Sequence, residues 1–193
     1  MDNNGKKEWI IKAAFRIVSK ENYENMKTAS VAREAGISEG TIYRYFNSKR
    51  ELFIEVLRFV NKRLAELLLE GVDRNKNLRE NLIVVAGNFF QRSGESDELY
   101  KIFYKAFSEV DDSEIKEVLG EIFDQSIEAV KEILKLISRE TKRDITDNRL
   151  EIAAMLLWGF GDIAWKRDTV AGKKEIPAEE MENVIDMILG LIG

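Results

Sequence analysis

Apolar side chains recur along this chain at three- and four-residue intervals, the spacing of one helix face, and no stretch alternates as a strand would. In Lys6–Lys20 the stripe is Ile10, Ala14, Ile17 and Val18, with Ile11 and Phe15 beside it. Met1–Gly5 carries no such pattern and is expected to be a short disordered lead. From Ser48 to about Glu70 the stripe is Leu52, Phe53, Val56, Leu57, Val60 and Leu64. Leu78–Arg92 places Leu82, Val85, Phe89 and Phe90 inward, and Glu98–Phe107 carries Tyr100, Phe103, Tyr104 and Phe107. Asp111, Asp112 and Ser113 suit the cap of a long helix from Ser113 to about Glu140. Thr146 or Asp147 opens another, to about Lys166. Between Ile152 and Trp165 it is apolar almost all round, so burial on more than one side is expected. Arg167–Ile176 reads as a polar loop. Pro177, Glu179 and Glu180 then suit the start of a last helix, which presents Met181, Val184, Ile185, Ile188, Leu189 and Ile192. The fold class is all-α, with about nine helices in total.

The stretch Thr28–Phe46 departs from this plain patterning. It reads TASVAREAGISEGTIYRYF. Thr28 is suited to cap a short helix through its hydroxyl. Val31, Ala32 and Ala35 give that helix one apolar face. Gly36 can end it in the left-handed conformation, Ile37 plugs the turn, and Ser38 can cap a second helix over Glu39–Tyr45. Two short helices with a tight turn make a helix-turn-helix. The second helix carries Gly40, Thr41, Tyr43, Arg44 and Tyr45, a composition unusual for a structural helix and suited to close approach to a phosphate backbone. Ser48-Lys49-Arg50-Glu51 matches a capping box, with free amides and a basic flank at the start of the next helix.

The run AGISEGTIYRYFNSKREL closely resembles the DNA-binding signature of the TetR family of transcriptional regulators. The resemblance lies in the first third of the chain; the remainder matches that family in length and helical pattern. It implies a helix-turn-helix DNA-binding domain over residues 1–50, its three helices including Lys6–Lys20, and a larger helical effector-binding and dimerisation domain over 51–193. By resemblance, Thr28, Tyr43, Tyr45 and Lys49 would hold phosphates, with Thr41 helping. Gly40 would let the backbone come close, and Ser38, Glu39, Thr41 and Arg44 are the candidates for base edges. Arg44 can bind guanine bidentately or reach a phosphate. Glu39 stands where the family commonly has a basic or small residue. It can accept from a cytosine amino group, or it can simply satisfy the first turn of its helix. The implied function is a homodimeric repressor, released from a pseudo-palindromic double-stranded DNA operator by a small-molecule effector. A regulator answering to a protein partner, or to no effector, keeps the same head with a solid body.

Composition narrows the alternatives. The chain has 193 residues, 45% hydrophobic and 34% charged, with a net charge of −5. Up to Glu55 there are ten Lys and Arg against eight acids, or +2, which leaves 20 against 27, or −7, for the rest. A basic head on an acidic body fits a local DNA footprint. There is no Cys and no His, which removes disulfides, thiolate nucleophiles, zinc-cysteine sites and the commonest general base. No nucleophile–base pair, phosphate loop or metal-ligand spacing supports an enzyme, and no cofactor is called for. No apolar run reaches the eighteen or so residues of a membrane span and no signal peptide is visible, so a cytoplasmic location is expected. The composition, rich in Lys and Glu, hints at a thermophilic source.

Two further residue sets carry expectations. Phe89, Tyr100, Phe103, Tyr104, Phe107, Phe123, Trp158 and Trp165 each read singly as core; as a set, the resemblance implies that they line an effector pocket. Asp162 would recognise a cationic ligand group there, unless it simply pairs with an arginine or stays exposed. Within WGFGD (Trp158–Asp162) two helical glycines cost about 1 kcal/mol each relative to alanine, so a ligand or partner helix should come close. The last two helices are more apolar than one core needs. In that family this pair forms a four-helix bundle with its twin, which points to Ala153, Leu157, Phe160, Gly161, Val184, Ile185, Ile188 and Leu189 as the dimer interface. A twofold dimer doubles what one short recognition helix can read.

Overall fold

In a computed structural model, residues 3–73, 75–90, 95–138, 145–172 and 177–192 are described, and among them every regular element is helical. The helices are α1 (Asn3–Lys20), α2 (Thr28–Ala35), α3 (Glu39–Tyr43), α4 (Lys49–Leu68), α5 (Leu78–Phe90), α6 (Glu95–Ala106), α7 (Ser113–Ile137), α8 (Asp147–Ala171) and α9 (Ala178–Ile192), with a 3-10 turn at Phe107–Glu109. Two boundaries differ from the sequence reading by more than a turn's ambiguity. Asn3–Gly5 belongs to α1, and α8 runs on through Arg167–Ala171 before Gly172 ends it at φ 63°. Polar composition alone had marked both as irregular, but polar residues are no obstacle to a helix whose apolar stripe continues nearby.

Packing groups the chain into two units, cut elsewhere than at residue 50. Met1–Leu64 packs with Gly94–Ile122, and Ala65–Ser93 packs with Phe123–Gly193. In the first unit, Ile10, Ala14 and Val18 of α1, Val31 of α2, Ile42 of α3 and Leu52, Phe53 and Val56 of α4 are almost fully buried. Phe46, at the exit of α3, and Met26, ahead of α2, complete this core. Burying side chains of this size stabilises by roughly 1.5–3 kcal/mol each. The Tyr23 ring lies 4.6 Å from that of Phe53, and the Phe15 and Phe59 rings meet edge-on at 5.6 Å.

Long-range hydrogen bonds close this unit. Trp9 Nε1 donates to the Ala35 carbonyl at the end of α2, at 2.9 Å. Lys105 of α6 donates to the carbonyls of Val18, Ser19 and Glu21 at 3.2, 3.2 and 2.5 Å. The last carbonyls of a helix have no partner within it, and a cation there also meets the negative end of the helix dipole. Arg50, in the first turn of α4, pairs with Asp112 and Glu114, both at 2.8 Å. Those side chains are half-exposed, so the pairs orient more than they stabilise.

The second unit is built on Leu82, Val85 and Ala86 of α5, Val130 and Leu134 of α7, Ala153, Ala154 and Leu157 of α8, and Ile185 and Ile188 of α9. Asn81 is buried but satisfied. It donates to the carbonyls of Asp73 and Lys76 at 2.8 and 3.1 Å and accepts from the Asp73 amide at 3.0 Å. Asn77 and Glu80 cap α5 reciprocally, each side chain accepting from the other's amide at 2.9 Å.

Candidate nucleic-acid interface

The turn between α2 and α3 is held by local chemistry. Gly36 sits at φ 65°, in the left-handed region, where a side chain would be strained. The Gly36 and Ile37 amides return to Arg33 and Ala32 at 3.2 and 2.9 Å. The Ser38 hydroxyl accepts from the Thr41 amide at 3.3 Å, and the two hydroxyls lie 2.9 Å apart. Ser38 thus caps α3 as its position suggests. Thr28 does not cap α2. Lys27 holds that place without a side-chain bond, because the Thr28 hydroxyl donates instead to the Glu39 carboxylate across the turn. It also lies 3.4 Å from the Tyr43 hydroxyl.

Ser38, Glu39, Gly40, Tyr43 and Arg44 are exposed, Thr41 and Tyr45 half-buried, and Thr28 buried. Ile42 and Phe46 are core. Glu39 and Tyr43 therefore lie exposed on a five-residue helix, with exposed Ser38 and Arg44 at its two ends. A Cβ added at Gly40 would meet only Ser38 Oγ, at 4.0 Å. Among the described residues, none requires glycine at this exposed helical position.

Lys49 is placed differently from expectation. Its ammonium donates to the carbonyls of Tyr23 and Glu24 at 3.0 and 3.2 Å and lies 4.3 Å from the centre of the Tyr23 ring. Burial raises the Tyr23 phenol above its usual range, so the ring stays neutral beneath that cation. Lys49 ties the loop before α2 to the start of α4. The capping box is also shifted by one residue. Ser48 Oγ accepts from the Glu51 amide at 3.0 Å, but Glu51 reaches back to the amide and side chain of Asn47, at 2.6 and 2.9 Å.

The aromatic set is divided between the two units. Tyr100 and Phe103 are buried in the first, where Phe103, Tyr104 and Phe107 form a ring cluster with centroids 5.4–6.1 Å apart. The Phe89 side chain lies outside the described residues. In the second unit, Phe123 and Trp158 line an open groove of about 500 Å³ between α7 and α8, together with Asp124, Glu128, Lys131, Glu151 and Met155. Trp165 is buried. Asp162 pairs with Lys166 at 2.7 Å, one turn along α8, a lysine where the sequence reading names an arginine as the alternative partner.

The structure divides the interface residues chosen from sequence. Ala153, Leu157, Gly161, Ile185 and Ile188 are buried within their own unit. Phe160 and Leu189 are half-buried, and Val184 is 9% exposed. The large apolar residues that α8 and α9 turn outward are Ile152, Met155, Leu156, Ile163, Val170 and Met187, 41–85% exposed. With Gly159, Phe160 and Val184, four of them line an open apolar groove of about 350 Å³. On a helix apolar all round, periodicity gives no sign of which side faces the chain's own core.

Comparison with known proteins agrees with this geometry. Residues 10–56 match the model of the bacterial regulatory proteins of the tetR family. The chain is 27% identical over 81 residues to the fatty acid metabolism regulator protein of Bacillus subtilis, covering 42% of each chain. It therefore spans about two fifths of that relative's length. It is 27% identical over 199 residues to the HTH-type transcriptional repressor KstR of Rhodococcus jostii, covering 98% of this chain and 87% of that one. The fold is similar to that of the regulator FadR of Bacillus subtilis in complex with stearoyl-CoA. The TM-score is 0.66, at 20% identity over 96% of this chain and 99% of the other. The helix-turn-helix head at residues 10–56 thus matches the tetR family of regulatory proteins, and the described helices beyond it share the fold of solved regulators similar to this chain.

Proposed function

We propose that this protein is a homodimeric transcriptional repressor that binds a pseudo-palindromic operator and is released from it by a small molecule. The observation that carries the DNA-binding role is the outer side of α3. There Gly40, Tyr43 and Arg44 are exposed together, and no described residue packs closely enough to require the glycine. In this reading Tyr43, Thr28, Thr41 and Tyr45 give hydroxyl protons to phosphates, contacts that set register and carry little sequence information. Ser38, Glu39 and Arg44 stand nearest the base edges, where Arg44 can hold a guanine. Lys49 has one ammonium proton left beyond its two carbonyl bonds. It contributes chiefly by positioning α4 against the loop before α2.

Dimerisation is supported by the outward apolar side of α8 and α9. Met155, Leu156, Ile163 and Met187 surround Gly159, whose Cβ would meet nothing within 4 Å. A second copy would cover this groove, and Gly159 would admit its close approach. For release, α6 is the natural lever, since Lys105 joins it to the end of α1 and Arg50 joins α4 to the residues that open α7. A ligand must bind the released state more tightly than the bound one, since equal affinity shifts nothing. The stearoyl-CoA complex of a protein of similar fold supports a small-molecule effector without naming this one.

Selection of bound fragments from random duplex DNA, at a stated moderate salt concentration, tests the reading. The expected product is an inverted repeat with half-sites one helical turn apart, about 34–36 Å, or a multiple of it. Recovery of no preferred sequence, from protein shown free of bound small molecules by mass spectrometry, would overturn it.

A further inference from the structure

Glu39 is an acid on the outer side of the recognition helix, where it repels phosphate. Its carboxylate accepts the Thr28 hydroxyl proton, and Tyr43 OH stands 3.4 Å from the same hydroxyl. A threonine hydroxyl has one proton, and a carboxylate only accepts. With that proton on Glu39, the Tyr43 proton is the one that can lie between Tyr43 and Thr28. The Tyr43 hydroxyl then points to Thr28, and the Thr28 hydroxyl to the carboxylate. A phosphate oxygen is also only an acceptor, so it cannot use Thr28 while Glu39 does. Thr28 is 8% exposed, which leaves little room to reach it otherwise.

We propose that Glu39 gates DNA docking: in the free protein its carboxylate holds Thr28 in place of a phosphate oxygen, and docking must displace it. Resting on the DNA-binding reading above, this makes Glu39 a discriminating residue rather than a defect in a basic surface. On any duplex the displaced carboxylate loses a hydrogen bond and meets a negative backbone. Only a base with an amino group at the major-groove edge, such as cytosine through N4 or adenine through N6, gives it a new donor. Weak binding to most sequences and recovery at one position per half-site follow from a single displacement. The gate uses the same hydroxyl that holds the phosphate, so its effect depends on Thr28.

A double-mutant cycle separates this from simple repulsion. Affinities are measured for the selected operator and a scrambled duplex of equal length, with the wild-type chain, Glu39→Ala, Thr28→Val and the pair. Glu39→Ala should tighten scrambled DNA by about tenfold, the scale of one hydrogen bond to a charged group, and shrink the operator-to-scrambled ratio. In the Thr28→Val background the same change should gain less than about threefold, because there is no hydroxyl to release. Thr28→Ser keeps the hydroxyl and should restore the full gain. Equal gains with and without the hydroxyl would reduce Glu39 to through-space repulsion and overturn the gate, as would no gain at all. If Glu39→Ala folds poorly, Glu39→Gln takes its place, with a smaller gain of the same sign and the same dependence on Thr28. A wild-type chain that binds neither duplex would instead sink the DNA-binding reading on which the gate rests.

Discussion

Gly40→Ala should raise stability and weaken DNA binding at once. Gly40 is the second residue of α3 and exposed. Its φ is not among the positive ones, which belong to Gly36, Gly71 and Gly172, so alanine meets no backbone strain. The added methyl group would touch only Ser38 Oγ, at 4.0 Å, an ordinary contact. Relative to alanine, glycine within a helix costs about 0.5–1 kcal/mol, largely through the freedom it gives the unfolded chain. For a chain of this length 1 kcal/mol moves the melting temperature by about 2–4 °C, so a rise of roughly 1–4 °C is expected. On DNA the same methyl group would hold the helix away from the backbone. Hydrogen bonds stretched past about 3.5 Å are effectively lost. Losing one or two phosphate contacts at ~1–1.5 kcal/mol each weakens binding about five- to 150-fold. The loss should be equal on operator and scrambled duplexes, because phosphates carry little sequence information. Thermal melts and fluorescence anisotropy titrations on the same samples measure both. Gly120→Ala in α7 is the control, since Gly120 also has no neighbour within 4 Å of an added Cβ: stability should rise and affinity stay unchanged. A Gly40→Ala protein that melts higher and binds like wild type would refute the reasoning, because nothing would then approach this face.

Other perturbations test other links. Arg44→Ala, if the guanidinium reads a base, should relax preference at one operator position by ~1–3 kcal/mol and leave other positions alone; equal losses on operator and scrambled DNA would make it a phosphate contact. Lys105→Met removes three bonds to carbonyls at the end of α1. Burial, and after it the neighbouring Lys101, holds that ammonium below its usual range, so the net loss should be only about 1 kcal/mol in urea unfolding; no loss would mean that the bonds merely match its hydration. Met155→Glu and Ile163→Glu place charge on the outward apolar face and should yield folded monomers in sedimentation equilibrium, whereas persistent dimers would place the interface elsewhere. Lys131 hydrogen-bonds Asp147 at 3.0 Å, which lowers the Asp147 carboxyl below 3.8, while Asp147 and then Glu128 raise Lys131 above 10.5. The Asp147 contribution is present above its unfolded value and lost as pH falls through the folded one. The Lys131 contribution is present below 10.5 and lost as pH rises through its folded value. Asp147→Asn should therefore flatten the dependence of the urea midpoint on pH at both extremes, and an unchanged profile would show the pair to be ornamental.

The helices and the recognition turn were legible in the chain because they rest on interactions between near neighbours. Gly36 in the left-handed conformation, Ser38 capping α3 and the stripe from Leu52 to Leu64 each depend on residues within a few positions of one another. So does the exposure of Tyr43 and Arg44, since Ile42 and Phe46 fix which side of α3 faces inward. Other features join residues far apart, and no local pattern encodes them. Lys49 looked like a phosphate ligand from its basic flank, but it holds carbonyls 25 and 26 positions earlier. Thr28 looked like a cap, but its hydroxyl is taken by Glu39 eleven positions later. Lys105 gave no signal at all, and it closes the end of a helix more than eighty positions away.

The clearest division lies in α8. Its composition announced a helix with apolar groups on every side, and hence burial beyond a single face. A period of 3.6 residues identifies a stripe only when polar residues mark its opposite side, and between Ile152 and Trp165 almost none do. Which stripe entered the chain's own core depended on the shapes that α5, α7 and α9 offered. Small Ala153, Ala154 and Gly161 fitted there beside Leu157, while Met155, Leu156 and Ile163 were left outward. That choice follows from close packing among distant side chains, which no linear pattern records.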